Sequence, residues 1–424
     1  MRGMSVAVIA GAMVVLPVTS AASASQARAG TERVTLSATG EQGNGDSYGP
    51  RFSTDGRFAV FTAYASNLVP GDTNGSSDVF VRDLRKGTVE RVSVGSDGAQ
   101  GDGESSAQAI SADGRYVLFR SNADNLVHWD TPPPTGAGDD IYLHDRRTGT
   151  TKRISVALDG GTAFAAGATM SANARYIAFN AKADRMEDEP GDLFGAVYVL
   201  DRRTGDVERT TNRGRPDNPA LLQDMSADGR YVAYTQLVPR SSYGRMLVHD
   251  RRTGTEEQVN VKPDGTPAVR YAMDGSFSAD GRSIAFDYWG DEELVPGEKP
   301  DEGSTAYVRD LRGDVTRRVN AGPAGEDRVR QPVLSADGRY VAYLADPRSA
   351  DGRTGPANVY LRDLRTGTTR LVSESAAGGP VTDSSVAVYS VGAGARRIGL
   401  GSESAQLVPD DTNGDYDGFV RRLR

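Results

Sequence analysis

A nine-residue segment recurs through this 424-residue chain at nearly constant spacing. One copy, Ser-Ala-Asp-Gly-Arg-Tyr-Val-Leu-Phe, begins at Ser111. The copies begin at positions 53, 111, 171, 226, 278, 335 and, in a divergent form, 390, so that successive copies lie 52 to 60 residues apart. A period of this length is typical of proteins built from repeated supersecondary units. A single array of such units therefore accounts for nearly the whole chain.

Each unit contains four predicted strands. In the second unit, a short apolar segment, Ala107–Ile110, precedes the turn Ser111–Gly114, and the apolar run Tyr116–Phe119 follows it. Two more short runs, Ile141–His144 and Arg153–Val156, are separated by another polar turn. The same pattern recurs in the other units. The sequence therefore predicts an all-β fold made of four-stranded antiparallel units.

The two ends of the chain are predicted to complete one unit together. The last unit has a third strand near Gly418–Arg421 and no fourth, whereas Glu32–Leu36 matches the fourth strand Glu90–Val94. An open array would leave exposed strand edges, which closure removes. We therefore predict a single seven-bladed β-propeller over residues 31–424, closed by the N-terminal strand that completes the last blade.

The repeat resembles a known type of propeller repeat. The segments Ser226–Tyr234 and Ser335–Tyr343, together with the later Arg-Asp-Leu-Arg-Thr-Gly at Arg362–Gly367, resemble the TolB-like repeat, a WD-like repeat of the PD40 type. The resemblance covers about residues 31–424. It implies an exported scaffold that binds proteins, and related propellers also serve peptidases and sugar-cleaving enzymes.

Residues 1–27 have the features of a secretory signal peptide. Arg2 provides a positively charged N-terminal region, and Val6–Leu16 is apolar but too short to span a bilayer. Either Ala22–Ala24 or Ser25–Ala27 offers a small-residue cleavage site. The chain has no cysteine, which excludes disulfides and thiol nucleophiles, and its net charge of −8 argues against nucleic-acid binding. We expect a secreted monomer without a membrane span.

Two near-identical loops, residues 69–78 and 408–417, are rich in side-chain oxygens. Alternating oxygens are typical of loops that wrap calcium. The alternative is that Pro-Gly and Asn-Gly shape turns in which aspartates cap backbone amides. Ring closure would place the two loops side by side. Calcium is the predicted cofactor under the first interpretation, with the candidate ligands Asp72, Asn74, Asp78, Asp411, Asn413, Asp415 and Asp417.

The two faces of the predicted ring differ in charge. Arginines follow the Asp-Gly turns on one face, whereas carboxylates crowd the long loops of the other. One interpretation pairs each arginine with the aspartate of its own turn, and exposed pairs of this kind contribute little to stability. The other interpretation is a basic face that docks on an anionic cell-wall polymer.

Motifs for catalysis are absent from the sequence. It contains no Gly-x-Ser-x-Gly, no phosphate loop and no His-Glu-x-x-His. His144 and His249 are interpreted as strand-surface residues, whereas His128, beside Trp129 in a long loop of the acidic face, is the candidate ligand contact. The sequence therefore predicts an exported, non-enzymatic scaffold that binds a protein or cell-envelope ligand. The alternative is a carbohydrate- or peptide-active enzyme with its site at the central opening of the acidic face.

Overall fold

A computed structural model describes residues 30–128, 139–157, 163, 165–182, 195–211, 219–238, 244–298, 304–319, 328–346 and 355–423. The signal peptide predicted for residues 1–27 lies outside these ranges. The described residues form strands, turns and one short 3-10 helix, Ala393–Ala395, so the predicted all-β class is confirmed. Over these ranges, the chain forms no helix with the length and apolar character needed to cross a membrane.

The strands are short, and there are 28 of them in the described ranges. In chain order they are β1 (Gly30–Arg33), β2 (Ser47–Phe52), β3 (Phe58–Ala63), β4 (Asp78–Asp83), β5 (Val89–Arg91), β6 (Ser105–Ile110), β7 (Tyr116–Ser121), β8 (Asp140–Asp145), β9 (Thr150–Arg153), β10 (Ala168–Met170), β11 (Tyr176–Ala181), β12 (Ala196–Asp201), β13 (Val207–Arg209), β14 (Ala220–Met225), β15 (Tyr231–Leu237), β16 (Gly244–Asp250), β17 (Thr255–Gln258), β18 (Tyr271–Phe277), β19 (Ser283–Trp289), β20 (Thr305–Asp310), β21 (Val315–Arg318), β22 (Arg328–Leu334), β23 (Tyr340–Asp346), β24 (Asn358–Asp363), β25 (Thr369–Leu371), β26 (Ala387–Val391), β27 (Arg397–Ser402) and β28 (Asp417–Arg422).

Consecutive strands pair antiparallel in groups of four. The groups β2–β5, β6–β9, β10–β13 and β14–β17 are separate sheets. The groups β18–β21 and β22–β25 are joined into one eight-stranded sheet by a parallel bridge between Thr305 and Val329. The remaining sheet has the order β1-β28-β27-β26 and so combines strands from both ends of the chain. Four-stranded antiparallel sheets that follow one another along the chain are typical of β-propellers.

The hydrophobic core is divided among the interfaces between successive sheets. Leu118 and Ile141 of one sheet, for example, pack in one buried cluster with Ile177 and Phe179 of the next. Within a sheet, aromatic rings of the second and third strands stack, as in the pair Phe119–Tyr142 with 5.6 Å between ring centroids. Because every sheet buries both faces, its two central strands consist largely of apolar residues.

The repeated segment forms the turn between the first and second strands and fixes one sheet to the next. The Ser111 hydroxyl donates to Asp113 at 2.7 Å and accepts a bond from the backbone N–H of Tyr116 at 2.9 Å. The backbone N–H of Ala112 donates to the carbonyl of Ala172, in the next turn, at 2.8 Å. The same turn-to-turn bond joins Thr54 to Ala112, Ala172 to Ala227, Ala227 to Ala279 and Ala279 to Ala336.

The arginine of each repeated segment is ion-paired within its own sheet. The Arg115 guanidinium donates to both carboxylate oxygens of Asp145, at 2.8 and 2.5 Å, and lies over the Tyr116 ring. These bonds lower the pKa of Asp145 to about 2. The partner is thus the aspartate that ends the third strand, not the turn aspartate predicted from the sequence, and the predicted basic face is largely neutralised. Equivalent pairs are Arg57–Asp83, Arg175–Asp201, Arg230–Asp250, Arg282–Asp310 and Arg339–Asp363.

Candidate functional site

The first strands of most sheets are irregular at the same position. The pairing register shifts between Leu222 and Asp224 in β14 and between Met273 and Ser276 in β18. Such β-bulges re-aim the side chains of the extra residues. Equivalent shifts occur in β2, β6, β22 and β26. The bulged residues are Gly49, Pro50, Gln108, Gln223, Asp274, Gly275, Gln331, Pro332 and Tyr389.

Most of these bulges line one cavity of about 360 Å³, which we call the inner-strand cavity. Its walls take residues from β2, β6, β10, β14, β18, β22 and β26. The volume lies within the range of small-molecule sites, about 300–1,000 Å³. The polar side chains of its lining include Arg51, Gln108, Thr169, Gln223, Asp224, Asp274, Ser276, Gln331 and Tyr389.

Two bulge residues adopt a backbone conformation that side chains disfavour. Asp274 and Gln331 have φ angles of 53° and 51°, in the left-handed region. Each such residue costs about 1–2 kcal/mol relative to an ordinary conformation. The two residues hold the same bulge position in consecutive units, so the strain is concentrated at the cavity wall.

Asp224 is held in the cavity wall by backbone donors. Its carboxylate oxygens accept bonds from the N–H groups of Met225 and Phe277, each at 2.8 Å. Burial nevertheless raises the pKa of Asp224 to about 6. A carboxyl group that titrates close to neutral pH can both accept and release a proton, which is the property required for general acid–base chemistry.

Asp287, in β19, lies directly behind the cavity wall and is 1% exposed. One of its oxygens accepts a bond from the backbone N–H of Gln331 at 3.2 Å, and the other has no hydrogen-bond partner within the described ranges. Burial and then the neighbouring charge of Asp274 raise the pKa of Asp287 to about 8. Burial also raises the pKa of Asp274. Asp287 is therefore mainly protonated at neutral pH.

The position of Asp287 has a structural role in other units. Thr62 and Asn180 each accept a bond from a backbone N–H of the next sheet, at 2.9 and 2.7 Å. Thr235 donates to the carbonyl of Ala272 at 2.6 Å. These neutral side chains join neighbouring sheets at no electrostatic cost. Asp287 makes the same connection with a group that must lose its charge to be buried there.

Arg51 places an unpaired cation in the inner-strand cavity. Its side chain is exposed, and no hydrogen bond or ion pair joins its guanidinium to another residue of the described ranges. Although the side chain is open to the cavity, desolvation by the surrounding cavity walls lowers the pKa of Arg51, and the nearby charge of Asp224 opposes that shift. An arginine stays charged throughout the physiological range. The cavity therefore offers an anionic ligand a planar donor that carries a charge.

The oxygen-rich loops predicted to bind calcium are occupied by arginine side chains. A guanidinium nitrogen of Arg33 lies 2.8 Å from Asp411, and another lies 3.3 Å from Asp417. In the other loop, Arg91 lies 3.4 Å from Asp78 and 3.6 Å from Asp72. Among the described residues, no group of three or more His, Asp or Glu side chains is arranged to hold a metal ion.

The two candidate asparagine ligands also have protein partners. Asn74 donates to the carbonyl of Gly101 at 2.9 Å, and Asn413 donates to Asp417 at 3.1 Å. Burial, with the charges of neighbouring aspartates, raises the pKa of Asp415. No hydrogen bond or ion pair within the described ranges joins the two loops.

The predicted aromatic and histidine site is not brought to the cavity. His128 is exposed in the loop after β7, away from the cavity lining, and Trp129 lies outside the described residues. His144, interpreted as a surface residue, is instead 6% exposed, with Nδ1 2.9 Å from the Thr151 hydroxyl. Burial lowers the pKa of His144.

Sequence reasoning missed the cavity residues. The available signal was a polar residue that interrupts the first apolar segment of a unit, three or four positions before the repeated serine. Gln108 precedes Ser111 in this way, and Gln331 precedes Ser335.

No family model matches the chain, and no curated protein matches its sequence. Solved structures match its fold. An oligogalacturonate lyase from Vibrio parahaemolyticus has a TM-score of 0.56 at 11% identity, over 90% of each chain. An oligogalacturonate lyase in complex with manganese has a TM-score of 0.53 at 12% identity, also over 90% of each chain. The β-propeller domain of the Trilobed protease from Pyrococcus furiosus has a TM-score of 0.52 at 13% identity, over 85% of this chain and 92% of that one.

These similarities are to propellers, and at such identities they show the fold alone. A putative TolB from Agrobacterium tumefaciens also matches, with a TM-score of 0.43 at 17% identity over 82% of this chain and 98% of that one. The chain has a β-propeller fold, and the propeller predicted from its TolB-like repeated segment is confirmed.

The prediction of a non-enzymatic scaffold is wrong. Two of the structures that align over 90% of the chain are named as oligogalacturonate lyases, and a peptidase, acylaminoacyl peptidase, aligns over 85% of this chain and 49% of its own. The physical reason for the error is that groups brought together only by folding leave no linear catalytic motif in the sequence. The charged cavity residues Arg51, Asp224 and Asp274 come from three different repeats, so no local motif contains two of them.

Proposed function

We propose that this chain is an enzyme that cleaves an acidic oligosaccharide in the inner-strand cavity. The observation that carries the proposal is the presence, in one cavity, of the unpaired guanidinium of Arg51 and two carboxyl groups of raised pKa, Asp224 and Asp274. A sugar carboxylate matches the arginine, and the amides of the bulged glutamines match sugar hydroxyls. The names of the lyases with the same fold agree with this substrate class.

The proposed reaction is a β-elimination at a uronate unit. Arg51 binds the substrate carboxylate and stabilises the negative charge that develops when the adjacent C–H proton is removed. Asp224, largely ionised above about pH 6, accepts that proton. The bond from the ring carbon to the glycosidic oxygen breaks, and the departing oxygen takes a proton from solvent water. The products are an unsaturated uronate and a new sugar end.

The proposal includes a closed, seven-bladed ring around the cavity. It is supported by the pairing of β1 with β28 and by the bond from the Ser390 hydroxyl to the carbonyl of Pro50, at 2.7 Å, between the last sheet and the first. It also includes export of a monomer after removal of residues 1–27. Oligosaccharides derived from cell-envelope polymers would be met outside the cell.

Metal ions have no part in the proposed step. The residues present do not fit calcium at the two predicted loops, because Arg33 and Arg91 already neutralise the carboxylates there. They do not fit manganese either, since the described ranges contain no suitable group of ligands. Calcium binding stays a prediction from the sequence.

The test uses the mature chain with galacturonate oligomers as substrate. We expect ultraviolet absorbance from an unsaturated product, and loss of that signal in Asp224→Asn and in Arg51→Gln. A matched control is Asp291→Asn, because the Asp291 side chain is 84% exposed and outside the cavity lining. If new reducing ends form without the ultraviolet absorbance of an unsaturated product, the reaction is hydrolysis and not elimination. Full activity of Asp224→Asn would show that the inner-strand cavity is not the catalytic site.

A further inference from the structure

We infer that the groove between the first two sheets is a second sugar-binding subsite, continuous with the inner-strand cavity. The inference rests on the proposed function and extends it, because it makes the substrate an oligomer long enough to fill both. The groove has a volume of about 390 Å³. Its lining includes Tyr48, Tyr64, Glu104, Arg120, Asn122 and Asp139.

Two tyrosine rings in the groove are open to solvent. Tyr48 is 39% exposed and Tyr64 is 49% exposed, so both rings are accessible to a ligand. Tyr48 is held in place, since its ring stacks on that of Tyr416 with 5.1 Å between centroids and 25° between planes. Fixed and exposed rings can pack against the C–H face of a sugar ring at little cost in conformational entropy.

Polar groups surround these rings. Arg120 and Asp139 form an ion pair at 3.6 Å in which both side chains are 37% exposed. Such an exposed pair contributes little to stability. Its charged groups remain available to sugar hydroxyls and carboxylates. An apolar platform with a few polar groups at its edge is the usual composition of a small-molecule site.

The tyrosines lead from the groove into the cavity. The hydroxyl of Tyr416 lies 3.3 Å from that of Tyr389, and Tyr389 lines the inner-strand cavity. Tyr48, Tyr416 and Tyr389 thus form a contiguous aromatic path between the two sites. A chain of sugar units bound in the cavity would extend along this path toward Tyr64.

The test measures binding by calorimetry in the Asp224→Asn variant, so that ligand is not consumed. The probes are digalacturonate and hexagalacturonate. We expect Tyr64→Ala to weaken hexagalacturonate binding about tenfold, a typical effect of losing one aromatic contact, and to leave digalacturonate binding unchanged. Tyr48→Phe should bind as before, because stacking does not require the hydroxyl. The control is Trp289→Ala, since Trp289 is 46% exposed and stands at the position of Tyr64 in another unit.

Unchanged hexagalacturonate binding in Tyr64→Ala would overturn the subsite, as would an equal loss in Trp289→Ala or no binding of either probe. The outcome is separable from that of the proposed function. Binding that depends on Tyr64 in a protein without lyase activity would keep the subsite and reject the reaction. Cleavage that Tyr64→Ala does not change at any oligomer length would support the reaction and reject the subsite.

Discussion

One carboxylate oxygen of Asp287 accepts a hydrogen bond from the backbone N–H of Gln331, and its other oxygen has no partner within the described ranges. The residue is 1% exposed and its pKa is raised to about 8, mainly by burial. Between about pH 4 and about pH 8, the unfolded chain releases a proton that the folded chain retains. The contribution of Asp287 to the free energy of unfolding is therefore fully present below about pH 4 and is lost as the pH rises through about 8.

Asp287→Asn is expected to abolish this decrease in the free energy of unfolding with rising pH. The amide keeps a neutral acceptor for Gln331, so the variant should unfold with about the wild-type free energy near pH 4. It should be more stable than the wild type by roughly 5–6 kcal/mol at pH values above about 8. Urea unfolding at several pH values measures the difference. The exposed Asp291→Asn serves as the control, and a difference between Asp287→Asn and the wild type that does not change with pH would contradict the assignment.

Gly114 is expected to be far less replaceable than Gly149. Both have a φ of 71°, so alanine costs each about 1 kcal/mol in backbone conformation. A Cβ on Gly114 would lie 2.1 Å from the Phe58 ring of the preceding sheet, whereas one on Gly149 would have no atom within 4 Å. We expect Gly114→Ala to destabilise the fold by about 2–4 kcal/mol and Gly149→Ala by about 1 kcal/mol. Similar denaturation midpoints for the two variants would refute the close contact.

The pH dependence of cleavage should identify the base. Because the pKa of Asp224 is raised to about 6, the second-order rate constant for a galacturonate oligomer should rise with pH and level off above about pH 6. Measuring kcat/KM across this range tests the expectation. Asp224→Asn should abolish the rise together with the activity, and Asp291→Asn should preserve both. A profile without an inflection in this range would assign the base elsewhere.

The parts of the fold that the sequence predicts are those set by local chemistry. The turn at Ser111 depends on bonds to residues two and five positions away, and the same bonds form in the five other regular copies. The third strand predicted at Ile141–His144 is observed as Asp140–Asp145. The site, in contrast, depends on residues that are far apart in the sequence. Gln108 and Gln331 meet at one cavity only because their strands hold equivalent places in different sheets.

The oxygen-rich loops are a second case in which a partner distant in sequence decides the chemistry. Their spacing of carboxylates and amides is compatible with a cation, and the sequence has no means of showing which cation. Arg33, which contacts Asp411 and Asp417, lies almost the whole chain away from them. Its guanidinium is joined to the loop only through the pairing of β1 with β28.

Calcium is accordingly expected to leave the melting temperature of the mature chain unchanged. The side chains of Arg33 and Asp417 are 5% and 0% exposed, so this ion pair is buried and already compensates the charge that calcium would meet. Arg33→Ala should destabilise the fold by about 3–5 kcal/mol, because it leaves buried carboxylates without a counter-charge. The control is Arg270→Ala, whose ion pair with Asp291 is largely exposed. A rise of several degrees in the wild type on adding calcium, lost in an Asp72→Ala, Asp411→Ala double variant, would instead establish the metal site predicted from the loops.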